Sequence, residues 1–176
     1  MDVMEQNPPP GTDPSIVDDV TAFKQAFRRL AAGVSVVTAL QPDGTPAGFT
    51  ATSVASLAAV PPMATFNMAR KASAWPAIEQ TEHVIIHLLG VRNRAAAETL
   101  SLDAELRFAG DHWAPGPLGL PLLKDVPAYM VCRIIGRYPV VESAVVVVQI
   151  EDGALGAEDV PLLYHERQYW KPGDRA

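Results

Sequence analysis

The sequence predicts a mainly β protein, a barrel of strands with a few peripheral helices. Two observations carry that prediction. Short runs of strand-forming residues recur between Gly-, Pro- and Asp-rich breaks, while helical periodicity is confined to three segments. The final third is almost wholly strand-like, with Ala128 to Ile135, Val140 to Glu151, and a hairpin from Leu162 to Trp170. With 176 residues, 48% hydrophobic and 19% charged, the chain can bury the core of one domain.

Residues 1–17 contain Pro8-Pro9-Pro10-Gly11-Thr12-Asp13-Pro14 and no periodic apolar pattern, so an extended or disordered tail is expected there. The folded domain is expected over residues 18–172, with a short tail at 173–176. Asp18 and Asp19 precede a helix. In it Val20, Phe23, Phe27 and Leu30 recur at helical spacing, Lys24, Arg28 and Arg29 lie off that stripe, and Gly33 is the stop. From Val34 to Ala39 the pattern becomes a strand. Pro42-Asp43-Gly44 is a turn, and the segment from Gly48 is a second strand that completes a hairpin. Met63 to Met68 is a third strand. The loop Arg70-Lys71-Ala72-Ser73 follows it, then a short helix from Ala74 to about Gln80. Val84 to Leu89 is another strand, and Arg92 to Leu102 is rich in good helix formers. Residues 109–121, rich in Gly and Pro, read as a loop.

A net charge of −6 lacks the basic footprint of a nucleic-acid binder, but a few placed cations and N–H groups suffice to hold one phosphate. No apolar run reaches the length of a membrane span. Met1 to Gln6 lacks the basic and apolar regions of a signal peptide, and the single Cys132 has no partner for an internal disulfide. A cytoplasmic protein with no nucleic-acid or membrane partner is expected.

The most informative stretch runs from Gly48 through Phe49-Thr50-Ala51-Thr52-Ser53-Val54-Ala55-Ser56 to Pro61-Pro62. A strand built for packing alone would use Val, Ile and Phe. This one carries hydroxyls, alanines and a glycine, a surface suited to a flat or anionic ligand that approaches the main chain.

In their order, these segments are similar to those of the short flavin reductases, the flavin reductase-like proteins of the FMN-binding split β-barrel fold. The resemblance runs from about Phe23 to Tyr169. Gly33-Val34-Ser35-Val36-Val37-Thr38 is similar to the family's opening strand, Gly48 to Ser56 to its flavin segment, and Pro61-Pro62 to the pair that follows. Ser73, Trp75-Pro76, Phe108-Ala109-Gly110 with Trp113, Pro121-Leu122-Leu123, Cys132, Leu162-Leu163-Tyr164 and Tyr169 complete the match. The resemblance implies an NAD(P)H:flavin oxidoreductase that reduces FMN or FAD for a partner monooxygenase. It also implies a homodimer with flavin sites near the subunit interface. Four positions depart from the family's pattern. Ser143 stands where His is common, Val148 where Gly is common, His87 replaces Asn, and Ala74 replaces Thr. The nicotinamide half is thus the less well kept. The alternative is a flavin-binding split-barrel protein without reductase activity, serving another biosynthetic step or a non-enzymatic binding role.

By this resemblance the flavin contacts are Thr50, Ala51, Thr52, Ser53, Ser56, Asn67 and His87, with Arg70, Lys71 and Ser73 as phosphate donors at a loop and helix start. No residue is singled out as catalytic, because hydride chemistry belongs to the cofactor. His87 reads equally as a core imidazole. On a strand, His83 and His87 are roughly 13 Å apart, too far to share a metal. Cys132 reads as a buried inert thiol. Trp113 either covers a ligand or anchors its loop, and the run Val145 to Val148 reads as buried strand.

Overall fold

The structure is a computed structural model that describes residues 18–173; both sequence tails, 1–17 and 174–176, lie outside the described residues. The first helix, α1 (Asp19–Arg29), starts at an N-cap Asp18, whose carboxylate accepts from the Thr21 N–H at 2.7 Å and from the Thr21 hydroxyl at 2.9 Å. Its apolar stripe does not meet the core. Val20, Phe23, Phe27 and Leu30 stay 54–60% exposed, and the rings of Phe23 and Phe27 stack on each other at 4.6 Å.

After α1 come β1 (Ala32–Gly33), β2 (Ser35–Leu40), β3 (Pro46–Ala51), β4 (Ala55–Ala59) and β5 (Pro62–Ala69). Then follow α2 (Trp75–Gln80), β6 (His83–Leu88), a 3₁₀ turn leading into α3 (Arg94–Leu100), β7 (Trp113–Pro115) and β8 (Pro121–Leu123). The chain closes with β9 (Ala128–Val140), β10 (Ser143–Leu155), β11 (Leu163–His165) and β12 (Gln168–Trp170). Seven strands form one antiparallel sheet in the order β3-β2-β6-β9-β10-β5-β4. Its two edges, β3 and β4, are consecutive in the chain, so the sheet must curl until they meet at the corner Thr52–Val54. There the Ser53 hydroxyl accepts from the Asn67 N–H at 2.9 Å and donates to the Asn67 carbonyl at 3.1 Å, tying the corner to β5. The closure leaves a split beside that corner.

Alternation along the strands divides the interior in two. Val37, Phe66, Ile86, Val146 and Val148 fill the barrel, with Trp75 and Ile78 of α2 packed against them. Val34, Val36, Leu89, Ala97, Leu100 and Leu162 form a second core outside the sheet, under α3 and the small sheet β1-β11-β12. Strands β2 and β6 are buried on both faces for this reason.

Three expectations change. The Gly48 segment is two strands on opposite edges of the sheet. The 109–121 loop contains the β7–β8 hairpin, paired from Trp113↔Leu123 to Pro115↔Pro121. The valine run is only half core, since Val145 and Val147 face outward, half-buried, while Val146 and Val148 are fully buried.

Candidate functional site

A cleft of about 540 Å³ opens where the barrel splits. Its floor is Phe49 to Ser53, running from the end of β3 into the corner. Asn67, Met68 and Ala69 at the end of β5 form one wall, and Ala72 and Ser73 of the following loop another. Ser143, at the start of β10, and Arg107 complete it.

Local patterning explains each placement. On β3, Phe49 points inward and meets Phe66 at 5.9 Å between ring centroids. Thr50 points outward, and its hydroxyl lies 3.2 Å from both the Ala97 carbonyl and the Ser101 hydroxyl, so it docks α3. Thr52, Ser53 and Val54 fall between the β3 and β4 ladders, which leaves their N–H groups free of sheet pairing. Gly48 serves packing instead of a ligand. A Cβ there would lie 2.9 Å from Cζ of Phe108 and 3.0 Å from the Val37 carbonyl oxygen, so glycine lets the Phe108 ring close over β3.

Of the ten residues read from the sequence, Thr50, Ala51, Thr52, Ser53, Asn67 and Ser73 come together in this cleft. Ser53 enters in a different role, because its hydroxyl is spent on Asn67. The other four lie elsewhere. Ser56 sits on the exposed edge strand β4, opposite Ala64. Arg70 and Lys71 are exposed on the turn after β5, where the Arg70 N–H donates to the Glu142 carbonyl at 2.8 Å. The short α2, six residues long, offers them no developed helix dipole.

His87 is fully buried on the far side of β2 from β3. Its Nδ1 donates to the Val36 carbonyl at 3.1 Å and its Nε2 accepts from the Leu123 N–H at 3.1 Å. Burial lowers its pKa to about 4. A proton on Nε2 would also face the Leu123 donor. His87 is therefore the core imidazole of the two readings.

The sequence reading missed Arg107 as a cleft residue, although Arg107 immediately precedes the Phe108-Ala109-Gly110 match. Ser143 was noted only as a departure. It does line the cleft, whereas Val148 does not, since β10 alternation turns Val148 into the barrel core between Ala64 and Ile134.

The remaining residues settle into structural work. The Trp113 indole N–H donates to the Phe108 carbonyl at 3.0 Å and its ring meets Phe108 edge-on at 5.4 Å, so it anchors its loop. Burial pushes the Cys132 thiol up to about 12, which leaves no thiolate near neutrality. His83 pairs with Glu151 at 3.1 Å. The Glu151 carboxyl is held below its ordinary range by its hydrogen bond with Arg133 at 2.7 Å.

A larger cleft of about 810 Å³ lies between the start of α3, the β7–β8 hairpin and the end of β10, with Leu122, Val126 and Tyr129 in its walls. Two of its polar residues hold loops. Arg92 donates to the carbonyls of Asp125, Ala157 and Glu158, and Asn93 to that of Asp125.

Comparisons with known proteins agree with this architecture. A flavin reductase domain protein from Arthrobacter sp. FB24 superposes with a TM-score of 0.84 at 47% identity, covering 88% of this chain and 96% of that one. An NADH:FMN oxidoreductase of Rhodococcus qingshengii is 36% identical over 156 residues, 85% of this chain and 80% of the relative. An FMN reductase (NADH) of Methylorubrum extorquens is 33% identical over 153 residues, 86% of this chain and 74% of the relative. The profile of the flavin reductase like domain matches residues 27–172, and the chain belongs to that family.

Proposed function

We propose that the protein is an NADH-dependent FMN reductase that delivers reduced flavin to a partner monooxygenase in the cytoplasm. The observation that carries this reading is the cleft at the split, which gathers small side chains and open donors from five separate segments. Its volume suits a small-molecule ligand. Ala51, Ala69 and Ala72 leave room for a flat ring, while Thr52, Asn67, Ser73 and Arg107 offer donors, so the residues fit a flavin. The names of the relatives favour FMN over FAD and NADH over NADPH.

Bound in this cleft, a flavin would accept the hydride of NADH plus one proton and leave as the dihydroflavin. The chain's own residues orient and enclose it. The N–H groups of Thr52 to Val54, without a backbone partner among the described residues, would supply donors for ring heteroatoms, and the Ser53 clamp on Asn67 holds that corner in register. Ser143 stands at the opposite wall with a hydroxyl that does not titrate near neutrality. Adding NADH and FMN to the pure protein and following absorbance at the nicotinamide band tests the reading. Oxidation that saturates in both substrates supports it. A protein that binds FMN but leaves NADH intact supports the non-reductase alternative.

We infer that the working form is a homodimer. The support is apolar surface left uncovered in one chain: the α1 stripe, the outward Val145 and Val147, and the edge strand β4, exposed throughout and including Leu57. Light scattering checks this. A wild-type monomer at micromolar concentration, or a Phe23→Asp, Phe27→Asp double variant as dimeric as the wild type, would remove α1 from the interface.

A further inference from the structure

The β7–β8 hairpin is a sheet of its own, strapped between the barrel and the flavin cleft. Its ladder leaves the Pro121 carbonyl and the Leu123 N–H facing away from β7. Two buried side chains of the barrel take them. The Thr38 hydroxyl of β2 donates to the Pro121 carbonyl at 2.6 Å. The Nε2 of His87 on β6 accepts from the Leu123 N–H at 3.1 Å. At its other end the strap holds the segment that brings Arg107 to the cleft. The His112 Nε2–H donates to the Arg107 carbonyl at 2.9 Å, and the Trp113 indole N–H to the Phe108 carbonyl at 3.0 Å. The Lys124 N–H donates to the His112 carbonyl at 2.9 Å and ties the two ends together. Arg107 lines the cleft and donates from Nη1 to the Gly48 carbonyl at 2.9 Å, under the Phe108 ring.

Of the two fasteners only His87 can let go. Its Nδ1–H is committed to the Val36 carbonyl, so Nε2 holds the lone pair that the Leu123 N–H needs. A proton on Nε2 sets two donors face to face. His112 behaves otherwise, because its proton already sits on Nε2 and a second one, on Nδ1, keeps the bond to Arg107. Around His87, β2 brings the uncharged Val36 and Thr38, and β9 brings Tyr129 in register. On β8, Lys124 is exposed; on α3, Arg94 and Glu98 pair with each other at 2.9 Å on the exposed side; at the far end of β6, His83 pairs with Glu151. Burial is the largest influence on the imidazole, and no charged neighbour counters it.

We propose that His87 is a positioning residue for the flavin cleft: with Thr38 it fastens the β7–β8 strap, and its protonation releases the strap and the Arg107–Phe108 side of the cleft with it. The consequence for binding rests on the flavin reading above. Coupling is reciprocal, so a flavin in the cleft holds His87 neutral to lower pH. From pH 8 to pH 6 the fastener stays shut and affinity is level.

Two readouts on the full chain test this. Nuclear magnetic resonance of the nitrogen-15-labelled protein follows the strap without a ligand. Fluorescence titration with riboflavin, which carries no phosphate to titrate, follows the cleft. As the pH falls below 6, the Leu123 amide and Trp113 indole signals should move with the His87 ring, before the barrel amides of Phe66 and Val146 are lost. The riboflavin dissociation constant should rise about twofold at the His87 midpoint and about fourfold half a pH unit below it. Riboflavin at about ten times its dissociation constant should lower that midpoint by about one pH unit. His87→Gln, which sets an amide oxygen near the place of Nε2 without a titrating ring, should keep riboflavin affinity level across the same range. Thr38→Val removes the other fastener, so it should raise the His87 midpoint and weaken riboflavin about 3- to 10-fold at pH 8.

Riboflavin affinity that stays level through the His87 midpoint would overturn the coupling and leave the flavin reading intact. So would a Trp113 indole signal that ignores the midpoint. Strap and barrel signals lost at one pH would mean global acid unfolding and overturn it as well. If His87→Gln does not fold, the wild-type midpoint and Thr38→Val still decide. If the wild type binds no riboflavin or FMN at pH 8, the flavin reading falls and takes the consequence for binding with it, whereas an indole that still tracks His87 upholds the strap.

Discussion

The two clefts of this molecule differ in a way that size conceals. The larger, about 810 Å³, is lined by charged residues, yet Arg92 and Asn93 spend their donors on backbone carbonyls of the loops around them. The smaller, about 540 Å³, spends the Thr50 and Ser53 hydroxyls and two nitrogens of Arg107 internally, but keeps open the corner N–H groups, the hydroxyls of Thr52, Ser73 and Ser143, and one edge of that guanidinium. Hydrogen bonds already made within the protein are not available to a ligand, and breaking them costs about what the ligand would gain. What stays open differs in kind: N–H groups and hydroxyls in the smaller cleft, and in the larger the exposed Lys124 ammonium and Asp111 carboxylate, which have no partner among the described residues.

Filling each cleft in turn breaks or upholds that contrast, and it carries the largest expected effect. Thr52 is exposed at the corner, and Thr52→Trp sets an indole where the ring must lie without touching the core. FMN affinity should fall by about 1000-fold or more, or ~4 kcal/mol, with the melting temperature unchanged. Ala95, exposed on α3, lines the larger cleft, and Ala95→Trp should leave FMN binding as it was. The opposite pattern in a flavin titration would move the site to the larger cleft.

His87 separates stability from binding. Its folded pKa, about 4, lies below the ordinary 6.5, so the unfolded chain binds the proton more readily. The stabilisation is complete above pH 6.5 and declines as the pH falls toward 4. The total is about 3 kcal/mol at about 1.4 kcal/mol per pH unit. The Glu151 carboxyl, held below its ordinary 4.5, adds its own loss in more acid solution, so the window from 4.5 to 6.5 isolates His87. Urea midpoints measured across that window should slope in the wild type and be flat in His87→Asn. Affinity for riboflavin, which carries no phosphate to titrate, should be the same at pH 6 and pH 8, because the imidazole lies behind β2, outside the cleft.

How legible all this is in the sequence depends on the range of the interactions involved. Runs such as Val84 to Leu89 declare strands because a short, nearly unbroken run of β-branched and aliphatic residues carries a local signal, and the turn at Pro42-Asp43-Gly44 does the same. The hydroxyl-rich segment announces an unusual surface. It does not announce that Ser53 closes the barrel, because its partner Asn67 is a contact made only when the sheet curls. Arg107 sits beside the Phe108-Ala109-Gly110 match, but its place near Ser73 is a long-range contact that the local pattern does not state. The α1 stripe was legible as a stripe, but periodicity states that a face will be covered and not by which chain. Val145 and Val147 depart from the buried run read in the sequence because the face each valine takes depends on the register of β10, which shifts at Val147/Val148 and Ile150/Asp152.

Ser53→Ala tests the closure directly. It removes both bonds to Asn67 at a partly exposed position, so the cost to stability should be about 1 kcal/mol, read from the shift in urea midpoint. FMN affinity should weaken with it, because the corner that presents the N–H groups loses its tether. Unchanged FMN affinity in a destabilised variant would show that β3 alone positions the floor.

The smallest expected effect concerns the wall opposite that corner. Ser143 is exposed at the start of β10, opposite Ala69 in register, and its side chain has no hydrogen-bond partner among the described residues. Ser143→His therefore disturbs no packing and adds a group that titrates near neutrality. If NADH docks over the open side of the flavin cleft, the imidazole meets it there. The value of kcat/KM for NADH should then change by about 2- to 10-fold, under about 1.4 kcal/mol, and acquire a pH dependence near 6.5 that the wild type lacks. FMN affinity should stay constant, because Thr52, Asn67, Ser73 and Arg107 lie on the other walls. Steady-state rates at saturating FMN between pH 5.5 and 8.5 measure this. A profile identical to the wild type's would place the nicotinamide away from Ser143 and confine the contrast between the clefts to the flavin alone.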